Sequence, residues 1–317
     1  MNTMKWLIRR ELWEHKGMLV WAPIVIAGLI AALALAATFF HGTLHYNGET
    51  ITPQNLVVTI EGSTRSRIVD TMAQTFVLSA LPVYLALASI VFFYCLGALN
   101  DERRDRSILF WKSLPVSDTN TVLSKALVAL VVTPLIVLGV GLGLSLLLLL
   151  AVCVKLSLHG TFLFTELLLT PELYLTPLRI VSLLPVYIVW ALPSVGWLLM
   201  VSSMARSKVF MWAVGIPVVA ALLLLWAEKA LGFSINAGWL INHLIGHLLL
   251  GVVPGGWLGF PDGAPLLEQG QNMAGMVAVF HAQGWASLAQ PNIWLGAAGG
   301  VLMLAVAVWM RRRREEG

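Results

Sequence analysis

Between Lys16 and Arg311 the chain passes six times through stretches of about 19 to 29 residues that contain no Asp, Glu, Lys or Arg. A hydrocarbon layer ~30 Å thick needs ~20 apolar residues as helix, and a water-soluble fold has no use for many such runs in series. Only 11% of the 317 residues are charged, against about 25% in an ordinary soluble domain. The expected fold is an all-α integral membrane protein, a single transmembrane domain over residues 1–317. Its spans are expected at 17–40, 71–99, 126–154, 180–205, 209–227 and 292–310. Helix is the expected state because every backbone polar group in lipid must be paired within its own segment. Period-two alternation, the mark of a barrel, is absent.

The positive charges set an orientation. Lys5, Arg9, Arg10 and Lys16 precede the first span; Arg103, Arg104, Arg106, Lys112 and Lys125 lie between the second and third. Arg206 and Lys208 separate the fourth and fifth, and Arg311 to Arg314 follow the sixth. With six spans these fifteen of the 20 basic residues share one side. The positive-inside rule makes that side cytoplasmic, with both termini on it, in a bacterial inner membrane.

The segment 230–291 is expected outside. Ala230 to Pro261 also lacks charge and has an apolar core, Leu248 to Val253, but Asn236, Asn242, His243, His247 and Pro254-Gly255-Gly256 interrupt it. A seventh span would place the terminal arginines outside, so the segment reads as short helices dipping into or lying on the outer leaflet, with Met273–Leu288 similar. Eight spans would keep the parity and stay open as an alternative. The first fifteen residues, with Glu11 and Glu14 among the bases, are expected to be an amphipathic interfacial helix rather than a cleaved signal peptide. In it Trp6 and Trp13 rest in the interface while Lys5, Arg9 and Arg10 meet headgroups.

No Asp, Glu, Lys or Arg stands at the centre of a span, whereas ion-driven carriers place such groups near the midplane. The interior polar residues are mild: Gln74, Ser79, Tyr84 and Ser89 in the second span, Tyr187 and Ser194 in the fourth. Such hydroxyls commonly bond their own helix; the functional reading is a weakly polar translocation surface for an amphipathic cargo. No phosphate-binding loop of the G-x-x-x-x-G-K-[ST] type occurs, so the chain is not expected to be an enzyme and any fuel must come from elsewhere. Pro185 and Pro193 would make the fourth helix pliable. The spacings Gly28-x3-Ala32, Gly139-x3-Gly143 and Gly296-x3-Gly300 would let helices approach closely.

The histidines His41, His45, His159, His243, His247 and His281 fall outside on this topology. The pairs 41/45 and 243/247 have helical spacing, but no carboxylate completes a zinc site, so surface or interfacial histidines and no metal are expected. Cys95 and Cys153 lie within spans near opposite faces and are not expected to pair.

The cytoplasmic segment 100–124 is the most informative loop. Glu102, Arg103 and Arg106 lead into Ser107, Ile108, Phe110 and Trp111, and Leu114 precedes Pro115, which ends any helix before it. Ser117 or Asp118 then caps the third span. Aromatic and arginine anchors suit docking on a soluble partner.

This pattern resembles the permease subunits of ABC-2-type ABC exporters. The matching residues are Arg9-Arg10-Glu11-Leu12 before span one, and Glu102-Arg103, Arg106-Ser107-Ile108 and Ser113-Leu114-Pro115-Val116-Ser117, with Lys125 at the foot of span three. Six spans with an extended outward segment between the fifth and sixth complete the likeness. The resemblance implies a connecting helix at 1–15, a coupling helix around Ser107–Leu114, and re-entrant helices in 230–291. It further implies two copies of a separate ATP-binding subunit, which would hold ATP and Mg, and a second permease copy, same or different. The lipid bilayer is the other partner; no nucleic acid is expected. The function implied is ATP-driven export of a hydrophobic or amphipathic compound such as a drug, peptide or lipid-like molecule. An ion-independent membrane scaffold and an intramembrane lipid-modifying enzyme are the alternatives.

Overall fold

A computed structural model of the chain describes residues 3–40, 44–46, 49–51, 63–104, 117–158, 162–232, 236–259 and 275–313. Apart from one short antiparallel hairpin, the described elements are helical. Strands β1 (Leu44–Tyr46) and β2 (Glu49–Ile51) pair with His45 opposite Thr50.

Six helices are long and apolar enough to cross a membrane: Gly17–Thr38, Arg65–Arg104, Asp118–Leu158, Glu172–Met204, Val209–Leu231 and Pro291–Arg313, here spans 1 to 6. Each overlaps a charge-free window of the sequence. Spans 2, 3 and 4 run beyond their windows at one or both ends, because charge marks where hydrocarbon stops rather than where helix stops. The Ala237–Leu250 stretch is apolar but shorter, and stands apart from the six. Span 3 starts at a true cap, the Ser117 hydroxyl accepting from the Asn120 N–H at 3.2 Å. Span 4 has a break at Leu183, two residues before Pro185, and carries Pro193 inside its second part.

The main core lies between spans 2, 3 and 4, where Val83, Val91, Tyr94, Val128, Leu198 and Leu199 are wholly enclosed. Span 6 lies against span 4 by backbone approach. A Cβ on Gly196 would meet the Gly300 carbonyl oxygen at 2.4 Å, and one on Gly300 would meet that of Leu192 at 2.6 Å. The Gly296-x3-Gly300 face therefore packs within the chain, while Gly139 and Gly143 meet open space. Cys95 and Cys153 are buried and unpaired.

Two accessory helices, Ala237–Leu250 and Met276–Ser287, lie along span 4. Side chains of span 4 satisfy their polar atoms: Ser194 donates to the His247 carbonyl at 2.9 Å and Tyr187 to that of Val252 at 3.2 Å. Trp190 Nε1 donates to Ser287 Oγ at 2.9 Å, and His281 Nε2 is 2.9 Å from Ser182 Oγ. At 1.5 Å per residue, these contacts from Ser182 to Ser194 follow span 4 for about 18 Å.

Candidate functional site

Two places in the bundle bring chemistry-bearing residues together. The first lies at the end where the N-terminal helix Thr3–Glu14 meets the ends of spans 2, 3 and 6. On that helix Leu7 and Glu11 are one turn apart and share the buried face. Glu11 is thus carried inward, and it is only 1% exposed. There it meets Lys125, also 1% exposed, on the buried face of span 3 with Thr121 and Val122.

Lys125 Nζ is 2.9 and 3.0 Å from the two Glu11 carboxylate oxygens and 3.0 Å from Glu102 Oε1. An ammonium group has three N–H donors, and three oxygens surround this one. Glu102 also receives Arg10 Nη2 at 2.5 Å and, on its other oxygen, Arg311 Nη1 at 2.8 Å. Arg311 Nε reaches Asp118 Oδ1 at 2.8 Å, and Tyr94 donates to Glu11 Oε2 at 3.0 Å. Glu11, Glu102 and Asp118 are balanced by Arg10, Lys125 and Arg311, which is what allows such burial, while Glu14, 3.5 Å from Arg10 Nε, adds a carboxylate on the exposed side. Breaking one member of a buried ion network costs about 3–5 kcal/mol, because its partners are left uncompensated.

A second anchor lies beside the hub. Ser202 Oγ accepts from the N–H groups of Leu99 and Asn100 at 3.2 and 3.1 Å and donates to the Leu96 carbonyl at 2.7 Å. Arg103 reaches across to the carbonyls of Ser202 and Ala205, the latter at 2.9 Å. Span 2 is thereby tied to the end of span 4. The insert between spans 2 and 3 leaves from Arg104 and returns at Ser117, so both of its feet stand on this clasp.

The sequence-predicted residues divide accordingly. Glu102 and Arg103 are in the clasp. Arg106, Ser107, Ile108, Phe110, Trp111 and Leu114 lie outside the described residues. On the N-terminal helix Lys5, Trp6, Arg9 and Trp13 are exposed, whereas Arg10 is turned to Glu102. Glu11, Asp118, Lys125 and Arg311 were not singled out as one site by their sequence. The available signal was a lone charged residue among the apolar Met4, Leu7 and Ile8 at Glu11 and a lone basic residue beside Val122, Ala126 and Val128 at Lys125.

The second place is a cavity of about 600 Å³ between spans 2, 3 and 4 and the accessory segments. Two of the expected translocation residues, Tyr84 and Tyr187, line it. The others are elsewhere. Ser79 donates to its own helix at Phe76, and Ser194 to the accessory helix at His247. Ser89 is exposed, and Gln74 is half-buried near the start of span 2.

His247 is buried within the protein, in contrast to the surface or interfacial position expected for it. Its Nε2 is 3.1 Å from the Trp190 carbonyl oxygen. A carbonyl only accepts, so Nε2 carries the hydrogen. Burial holds the His247 pKa below the ordinary imidazole value; the Trp190 carbonyl opposes that shift and His243 adds to it. Among the described residues no group of three His, Cys, Asp or Glu side chains is placed to hold a metal ion.

Six apolar crossing-length helices, held at one end by an ionic clasp, mark a multi-pass helical membrane protein. No protein-family model, curated protein or solved structure matches the chain.

Proposed function

We propose that this chain is the membrane-spanning subunit of an ATP-driven exporter, moving a hydrophobic or amphipathic compound. In this reading the end carrying the clasp is cytoplasmic, the membrane is the bacterial inner membrane, and the accessory helices are re-entrant from the outer face. ATP and Mg are held by a separate ATP-binding subunit, present in two copies, which docks on the insert around Ser107–Leu114. A second permease copy completes the assembly.

The observation that carries the reading is the footing of the insert. Arg311, in span 6, grips Glu102 before the insert and Asp118 after it. Glu102 in turn shares Lys125 with Glu11 of the N-terminal helix. A force applied to the insert therefore reaches spans 2, 3 and 6 and the N-terminal helix through charged contacts rather than through a slack loop. That is what a chain without its own nucleotide site requires of a coupling element, in a scheme where ATP favours one of two bundle arrangements.

The test is co-expression with candidate ATP-binding subunits from the same genome, followed by purification and ATPase assay. The expected result is a stable complex whose hydrolysis is stimulated by this chain. Trp111→Ala and Arg106→Glu should abolish the stimulation while the chain still expresses. Recovery of no ATPase subunit from native membranes counts against the proposal.

A further inference from the structure

We infer that the outer face of the clasp end binds anionic phospholipid, its phosphates seated on cations stacked against tryptophan rings at Trp6/Arg9, Trp13/Lys16 and Trp309/Arg313. The inference needs only a membrane at that end and does not rest on the ATP-driven reading.

The N-terminal helix supplies two of the three pairs. Its backbone stays helical beyond Glu14, the His15 N–H bonding the Glu11 carbonyl at 3.0 Å and Lys16 keeping φ −53° and ψ −33°. Trp6, Arg9, Trp13 and Lys16 follow one another at steps of three, four and three residues, so the helix turns all four to one side. All four are exposed, on the side away from the buried Leu7 and Glu11. No acid shares that side: Glu11 is turned inward, and Glu14 lies 3.5 Å from Arg10 Nε. The Arg9 guanidinium carbon stands 5.6 Å from the Trp6 ring centroid, and Lys16 Nζ stands 5.8 Å from that of Trp13. Arg10, which the sequence alone places among the headgroup contacts, is instead engaged with Glu102.

Span 6 supplies the third pair. Leu302, Val306, Trp309 and Arg313 recur at steps of four, three and four residues and are all exposed. The Arg313 guanidinium carbon is 4.1 Å from the Trp309 ring centroid. Aliphatic, then indole, then cation is the order of a bilayer read from hydrocarbon through interface to headgroup. Arg311, half a turn away from this stripe, points into the clasp.

The chemistry of the three pairs selects an anion. Among the described residues, Arg9, Lys16 and Arg313 have no ion pair or hydrogen bond. A guanidinium lying on a ring keeps its in-plane N–H groups free, and that fork matches the oxygens of a phosphate. The neighbouring indole N–H groups are donors too. Lys16 directly precedes span 1, and Arg313 ends span 6. A phosphate that reaches these cations while its chains lie on the exposed apolar side of the same helices belongs to a lipid.

The experiment uses the full chain in detergent and native mass spectrometry, with phosphatidylglycerol and phosphatidylcholine of equal chain length as probes. The phosphatidylglycerol should bind more tightly. Arg9→Gln, Lys16→Gln and Arg313→Gln should each weaken it about threefold to fivefold, and the triple variant at least about tenfold, with phosphatidylcholine and Tm unchanged. Arg9→Lys and Lys16→Arg, which keep the charge, should retain most of the preference. A triple variant that binds both lipids as the wild type does overturns the proposal. Preference lost with Arg10→Gln and kept with Arg9→Gln would return the headgroup to the clasp and overturn it as well. Glycerol phosphate at the lipid's concentration should not compete; full competition would show an anion site indifferent to the membrane and overturn the choice of a lipid.

Discussion

Lys125 Nζ contacts both carboxylate oxygens of Glu11, at 2.9 and 3.0 Å, although 114 residues separate the two in sequence. This pair, with Glu102 beside it, fastens the N-terminal helix to the foot of span 3. Replacing Lys125 by Met leaves two buried carboxylates facing each other. The expected loss is about 3–5 kcal/mol, read as a fall in Tm of the detergent-solubilised protein. The double variant Lys125→Met/Glu11→Met should recover part of that loss, because it removes an uncompensated charge. Equal melting of the wild type and Lys125→Met would contradict the buried network.

Ser202→Ala removes the acceptor for two backbone N–H groups near the end of span 2. Each buried group left unsatisfied costs about 1–3 kcal/mol. Hydrogen exchange at Leu99 and Asn100 should accelerate, and exchange at the Lys125 end of the clasp should change less. A uniform effect across the bundle would argue against a local tie.

Gly300→Ala places a methyl group where a Cβ stands 2.6 Å from the Leu192 carbonyl oxygen. Backbone on both sides leaves no flexible side chain to move. Overpacking of this kind costs about 1–3 kcal/mol. The same change at Gly139, whose Cβ position is open, should leave Tm unchanged.

His247 supplies a pH dependence. Its folded pKa is depressed by burial. The unfolded chain therefore binds a proton more readily than the folded one, and stability rises with pH between the two pKa values. Its contribution is fully present above the ordinary histidine value of about 6.5 and is lost as pH falls through the lower folded value. Tm should fall between pH 7.5 and pH 5, and His247→Gln should flatten that part of the curve. An unaltered slope in the variant would remove His247 from the account.

Much of the bundle was legible in the sequence because hydrocarbon imposes one simple demand. A long run without charge has few other uses, and each of the six windows from Gly17 to Met310 lies on a crossing-length helix. The helix ends were less legible, since Arg65 and Glu172 suit a helix, and Ser117 caps one, whether or not lipid surrounds them. The clasp was hidden for a different reason. Read along the chain, Arg10, Lys125 and Arg311 serve as topological charges, and their partners Glu11, Glu102 and Asp118 are distant in sequence. Only the fold brings them within hydrogen-bonding distance. Of the expected polar surface, Tyr84 and Tyr187 face one cavity because spans 2 and 4 meet there. Ser79 and Ser194 instead bond to carbonyls, the common fate of a hydroxyl in lipid.

Glu102 and Asp118 end on the same guanidinium, that of Arg311. The two ends of the insert are thereby held to one side chain of span 6. Closing a loop carries an entropy cost that depends only weakly on its length and hardly at all on its side chains. A change in the length of the chain between those two acids should therefore alter the stability of the membrane part only slightly, like a new bit cut on a fixed shank.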